Sequence, residues 1–146
     1  MSIEAVKRFL DSEQPHFAKH IGIEIVSYSP DKVEAELEIG EQHSNRGGAM
    51  HGGAIMTLAD TIGGLATTAS LPDGHGTVTL ESKTNFLAAI PVGDTARATC
   101  TPLHRGRTTM VWETRIVRGD GKLAAIVTQT QLVLQPRADG QPLPNS

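Results

Sequence analysis

Apolar residues recur along the chain with two periods, and the points where the period changes divide it into elements. Ile3, Val6, Phe9 and Leu10 stand at helical spacing and predict a short amphipathic helix over 3–13, with Ser2 as its N-cap and Pro15 beyond its end. Over 22–29 and 32–39 apolar and polar residues alternate on either side of Ser29-Pro30-Asp31, the pattern of a hairpin. The stretch 53–71 follows the helical period through Ile55, Leu58, Ile62, Leu65 and Ala69, a stripe expected to be buried. After Pro72 the residues are rich in Thr and Val and alternate through Val78, Leu80, Ser82, Thr84 and Phe86, predicting a long strand. Further strands are predicted near 94–103, 108–118 and 122–134. Arg105-Gly106-Arg107 separates the first two and Gly119-Asp120-Gly121 the last two, where Asp-Gly is a strong hairpin signal. No apolar period remains from Gln135 onward, so 135–146 is expected to be a loose tail.

Two strands, a long helix and four more strands imply an α+β fold, with a mostly antiparallel sheet of about six strands packed on one helix. A chain of 146 residues fits a single domain, with 1–20 as an N-terminal helical extension. The sequence contains no internal repeat. Its formal charge of −3 argues against nucleic acid or an anionic membrane as partner. The one cysteine, Cys100, has no intrachain disulfide partner, which suits a reducing compartment and a place in the core. Acids and bases precede any apolar run at the N-terminus, and no apolar stretch reaches about 18 residues, so a soluble cytoplasmic protein is expected.

The chemistry concentrates in the run from Asn45 to Gly53, followed by Asp60. Glycine permits close backbone approach, and a helix start presents unpaired N–H groups with partial positive charge. A carbonyl or an anion can sit there. Asp60 is the only charged side chain between Arg46 and Asp73, in a segment otherwise small and apolar. At about 1.5 Å of rise per residue, Gly52 and Asp60 stand roughly 12 Å apart along one helix, too far to grip one small reacting group. Asp60 shares its helix side with Gly53, Met56, Gly63, Gly64 and Thr67. That small-residue side is expected to admit a second subunit, which would bring its own helix N-terminus to Asp60 in a two-fold dimer.

Asn45, His51-Gly52-Gly53, Asp60, the element order and the Thr84–Leu87 segment together resemble the hotdog-fold thioesterases, in particular the phenylacetate-pathway and 4-hydroxybenzoyl-CoA thioesterase-like branch. The resemblance extends over about 20–134. It implies a long central helix wrapped by the sheet, a homodimer that often doubles into a homotetramer, and hydrolysis of an acyl-CoA thioester without a cofactor. By the same resemblance Asp60 is the general base or nucleophile, Gly52 supplies the backbone N–H that polarises the carbonyl, and Asn45 helps to hold the attacking water. Thr79 matches a hydroxyl position of the same branch. Its strand parity is opposite to that of Val78 and Leu80, so it is expected to face away from their core.

Other readings compete at each position. His51 is either a base or, preferably, a loop residue that fixes the glycine geometry by hydrogen bonding. Arg105 and Arg107 can meet CoA phosphates, because guanidinium groups suit bidentate phosphate binding, or can be a solvated hairpin tip. His16 and His20 lack the Glu of His-Glu-x-x-His, and no metal is expected. Ser44 lies outside any Gly-x-Ser-x-Gly elbow, and the glycines lack a following Gly-Lys-Ser/Thr. Met50, Met56, Leu87 and Trp112 either line an acyl pocket or belong to the core. Against hydrolysis stand a noncatalytic acyl-CoA-binding protein on the same fold and a hotdog dehydratase, since function belongs to sites rather than folds.

Overall fold

A computed structural model describes Glu4 and residues 16–139. Apart from Glu4, the helix expected over 3–13 lies outside the described residues, as does the end of the tail. A short helix α1 (His16–Ile21) is followed by strands β1 (Glu24–Tyr28) and β2 (Val33–Glu38), which form the expected hairpin. A single 3-10 turn, Glu41–His43, precedes the long helix α2 (Gly52–Ser70). Strands β3 (Gly76–Phe86), β4 (Thr95–Arg105), β5 (Thr109–Val117) and β6 (Leu123–Leu134) complete the chain. All pairings are antiparallel, and the six strands lie in the order β1-β2-β4-β5-β6-β3, so β3 returns across the sheet to form one edge. At the Gly119-Asp120-Gly121 turn Gly121 adopts φ +85°, a left-handed conformation that favours glycine.

The core lies between α2 and one face of this sheet. Ile55, Leu58, Ile62 and Leu65 are buried against inward residues of the strands, among them Leu37, Trp112, Ile116 and Val127. Each such side chain contributes about 1.5–3 kcal/mol by leaving water, enough to fix α2 on the sheet whatever its polar end groups do. Ala69, at the end of the predicted stripe, is half-buried. Cys100 is fully buried, as expected, and burial pushes its thiol up to about 11. None of the described helices is long and apolar enough to cross a membrane.

Two expectations are corrected. On β3 the inward set is Thr77 and Thr79, while Leu80 is 57 % exposed and Val78 is half-buried. A bulge between Thr79 and Glu81 then shifts the register, so Ser82 and Thr84 return to the inner face. An apolar alternation along an edge strand therefore marked its outer face. On α2, Gly63, Gly64 and Thr67 are buried within the subunit, and the Gln129 side chain fills the space over Gly63. The small-residue side is open only at Gly53, Met56 and Asp60.

Candidate functional site

A tight loop carries the chain from β2 into α2. Asn45 organises it: its Oδ1 accepts from the N–H groups of Gly47 at 2.8 Å and Ala49 at 3.3 Å, and its own N–H donates to the Ala49 carbonyl at 2.8 Å. Gly48 supplies the left-handed residue that this reversal needs, at φ +74°. His43 anchors the loop from beneath. Its Nδ1 accepts from Gly40 N–H at 3.0 Å, which leaves the ring proton on Nε2 to donate to the Ile21 carbonyl at 2.6 Å. The His43 carbonyl accepts from His51 N–H at 2.7 Å and so sets where α2 begins.

His51 is the N-cap of α2, and its Nδ1 accepts from Gly53 N–H at 2.9 Å. Gly52 N–H has no acceptor among the described residues. Its dipole-favoured donor opens on an apolar groove of about 400 Å³, whose wall includes Asn45, Ile55, Phe86, Leu87 and Ala88. The Phe86 ring crosses Gly52 so closely that a Cβ there would meet it at 3.2 Å. Phe86 and Leu87 are each 54 % exposed; Met50 is buried but also lines this groove, whereas Trp112 belongs to the core alone. Met56 is exposed beside Asp60 on the open side of α2.

Asp60 is exposed on the outer turn of α2, eight residues beyond Gly52. Its Oδ1 accepts twice, from Thr79 Oγ1 at 2.9 Å and from Gln129 Nε2 at 2.6 Å. Thr79 Oγ1 in turn accepts from Gln129 Nε2 at 3.1 Å and Gln131 Nε2 at 2.8 Å. Thr77 Oγ1 lies 2.8 Å from Gln131 Oε1 and 3.1 Å from the Leu132 carbonyl. Two pairs of predicted residues are therefore brought together, Asn45 with Gly52 and Asp60 with Thr79, while helical rise keeps the pairs apart within the subunit.

Gln129 and Gln131 were not recognised from sequence. The signal was present: Val127, Gln129, Gln131 and Val133 alternate, so period two puts both amides on the buried face. Arg105 and Arg107 lie at the far end of α2, around a pocket of about 760 Å³ that also includes Ser70 and His75. Arg105 is held by the β1–β2 turn, donating to Asp31 at 2.7 Å and to the Pro30 carbonyl at 3.0 Å. Arg107 is exposed. Ser44 Oγ donates to the Glu41 carbonyl at 2.8 Å, a loop bond. Among the described residues no three His, Cys, Asp or Glu side chains cluster to hold a metal ion.

Residues 47–125 match the family profile of the thioesterase superfamily. A putative esterase of Haemophilus influenzae is 35% identical over 79% of this chain and 83% of its own. A 1,4-dihydroxy-2-naphthoyl-CoA hydrolase of Listeria monocytogenes is 33% identical over 80% of this chain and 94% of its own. Among solved structures, a thioesterase from Haemophilus influenzae superposes with a TM-score of 0.83 at 29% identity, covering 92% of both chains.

Proposed function

The chain belongs to the thioesterase superfamily and is a hotdog-fold thioester hydrolase, and on that premise we propose that it cleaves an acyl-CoA thioester at a site shared between two subunits. The observation that carries this reading is the Gly52 N–H, a helix-terminal donor with no acceptor among the described residues, set at an apolar groove beside Asn45. A thioester carbonyl gains negative charge as it becomes tetrahedral, and a preorganised N–H stabilises it; losing one such donor costs about 2.7–4 kcal/mol in other enzymes. Asp60 supplies the other half. Its carboxylate takes a proton from water as the water oxygen attacks the acyl carbon, or attacks that carbon itself to give a mixed anhydride that water then opens. In either course the C–S bond breaks, CoA leaves as thiolate and is protonated, and the acid is released.

Because Asp60 and Gly52 of one chain stand roughly 12 Å apart along α2, the reading pairs Asp60 and Thr79 of one subunit with Asn45 and Gly52 of the partner subunit. The exposed row Gly53, Met56 and Asp60 and the unpaired β3 edge support an isologous contact on this side of the molecule. The working unit is then a homodimer, or a dimer of dimers, in the cytoplasm, where the Cys100 thiol stays reduced. Arg107 reaches the CoA phosphates, with Arg105 joining if phosphate displaces Asp31. Exposed ion pairs of that kind are worth only about 0–1 kcal/mol, so the exchange is feasible. A panel of aryl and fatty acyl-CoA thioesters compared by kcat/KM identifies the acyl group.

Mixing subunits tests the shared site. Inactive Asp60→Ala and Asn45→Ala chains, co-assembled, regain one intact site per heterodimer and therefore recover thioesterase activity that neither has alone. Verified hetero-oligomers without recovery would contradict the cross-subunit reading.

A further inference from the structure

Gln129 is 1 % exposed, yet only half of its amide is satisfied. Its Nε2 donates to Asp60 Oδ1 and to Thr79 Oγ1, while its Oε1 is buried with no hydrogen-bond partner. The amide cannot be turned over, because Oε1 would then face a carboxylate oxygen. A buried carbonyl without a partner is destabilising, and an apolar side chain at 129 would avoid the penalty. What a glutamine supplies here is the N–H directed at Asp60.

The proton inventory around Thr79 narrows the role further. A hydroxyl has one proton to donate and two lone pairs with which to accept. Both accepting positions of Thr79 Oγ1 are taken by amide N–H groups, from Gln129 at 3.1 Å and Gln131 at 2.8 Å, so its single proton is directed to Asp60 Oδ1. Gln131 is oriented in turn by the Thr77 hydroxyl on its Oε1, which turns its Nε2 toward Thr79. Oδ1 thus receives two donors. Oδ2 receives none among the described residues.

We propose that Gln129 and Gln131 are positioning residues which, with Thr79, lock Asp60 Oδ1 and leave Oδ2 as the oxygen that meets water or the acyl carbon. The proposal rests on Asp60 being the catalytic carboxylate. It also explains Gly63: a Cβ there would collide with Gln129 Oε1 and come within 2.8 Å of its Cδ, so glycine on α2 is what lets the amide reach Asp60 from β6. The register shift between Thr79 and Glu81 contributes as well, since it sets Thr79 opposite Gln131 and Ser82 opposite Gln129. One bulge and one glycine therefore bring Thr79 and Gln129 onto a single carboxylate oxygen, with Gln131 behind Thr79.

The test measures kcat, KM and Tm for acyl-CoA hydrolysis by Gln129→Met, which keeps length and removes the donor. The expected result is a kcat lower by about ten- to a hundredfold, the range for a hydrogen bond to a charged group, with KM little changed and Tm equal or higher. Gly63→Ala reaches the same contact from the helix and is expected to lower kcat in the same way if Gln129→Met does not fold. Gln131→Met is expected to lower kcat in the wild type but not in a Thr79→Val background, because it acts only through that hydroxyl, whereas Thr79→Ser retains the wild-type rate. A folded Gln129→Met with wild-type kcat, or a loss confined to KM, overturns the positioning role. Asp60→Ala in the same assay keeps the two readings apart. If it is inactive while Gln129→Met keeps the wild-type kcat, only the positioning fails; if Asp60→Ala itself keeps the wild-type kcat, the catalytic assignment fails.

Discussion

His51 Nδ1 takes the Gly53 N–H at 2.9 Å, so of the first two amides of α2 one is occupied by the protein and the other, Gly52 N–H, is left for a ligand. The imidazole thus caps α2. His51→Asn, which caps through its side-chain oxygen, is expected to keep both Tm and kcat, and His51→Ala to lose about 1 kcal/mol of stability, measured by denaturant unfolding. A kcat loss in folded His51→Asn as large as that of Asp60→Ala would instead make the imidazole a proton carrier.

Asn45 Oδ1 closes the loop on Gly47 and Ala49, while Asn45 lines the groove beside Gly52 and its Nδ2 has no acceptor among the described residues. Asn45→Asp preserves the acceptor and removes the donor. It is expected to hold Tm while lowering kcat, whereas Asn45→Ala lowers both; an Asn45→Asp enzyme with wild-type turnover would confine Asn45 to loop structure.

Alkaline stability has a defined sign. Burial raises the Cys100 thiol from 9.0 to about 11, so between those values the unfolded chain has lost a proton that the folded chain keeps. Stability is therefore complete below pH 9 and falls as pH rises toward 11, by ~2–3 kcal/mol in all. Tyr28, also raised by burial, adds a loss of the same sign. The measurement is thus the difference in pH dependence of unfolding between the wild type and Cys100→Ala, which is expected to lack the thiol's share. Parallel curves from pH 8 to pH 11 would contradict a buried neutral thiol.

The order of elements was legible from sequence because α2 and the central strands carry strong periods: Leu58 and Ile62 stand on one stripe, and the β4–β6 segments are bounded by turn glycines. What escaped was set by partners distant in sequence. The bulge at Thr79–Glu81 inverts the inward set of β3, and no local pattern signals it. The small side of α2 was ascribed to another subunit, yet at Gly63 the space belongs to Gln129, 66 positions further along the chain. Asp60 stood out because it is a lone charge in an apolar segment. Gln129 and Gln131 did not, since alternating Thr and Gln also fits a solvated strand, and the flanking Val127 and Val133 that share their face are a weaker signal than a lone charge.

The most direct test of the account is the turnover of an acyl-CoA thioester by Asp60→Ala, followed as release of free thiol, with Tm measured on the same sample. Asp60 is exposed, so the variant is expected to fold as the wild type does. Its kcat is expected to fall by about 10²–10⁴-fold, the usual worth of a positioned acid or base. A folded Asp60→Ala protein that hydrolyses the thioester at the wild-type rate would contradict it.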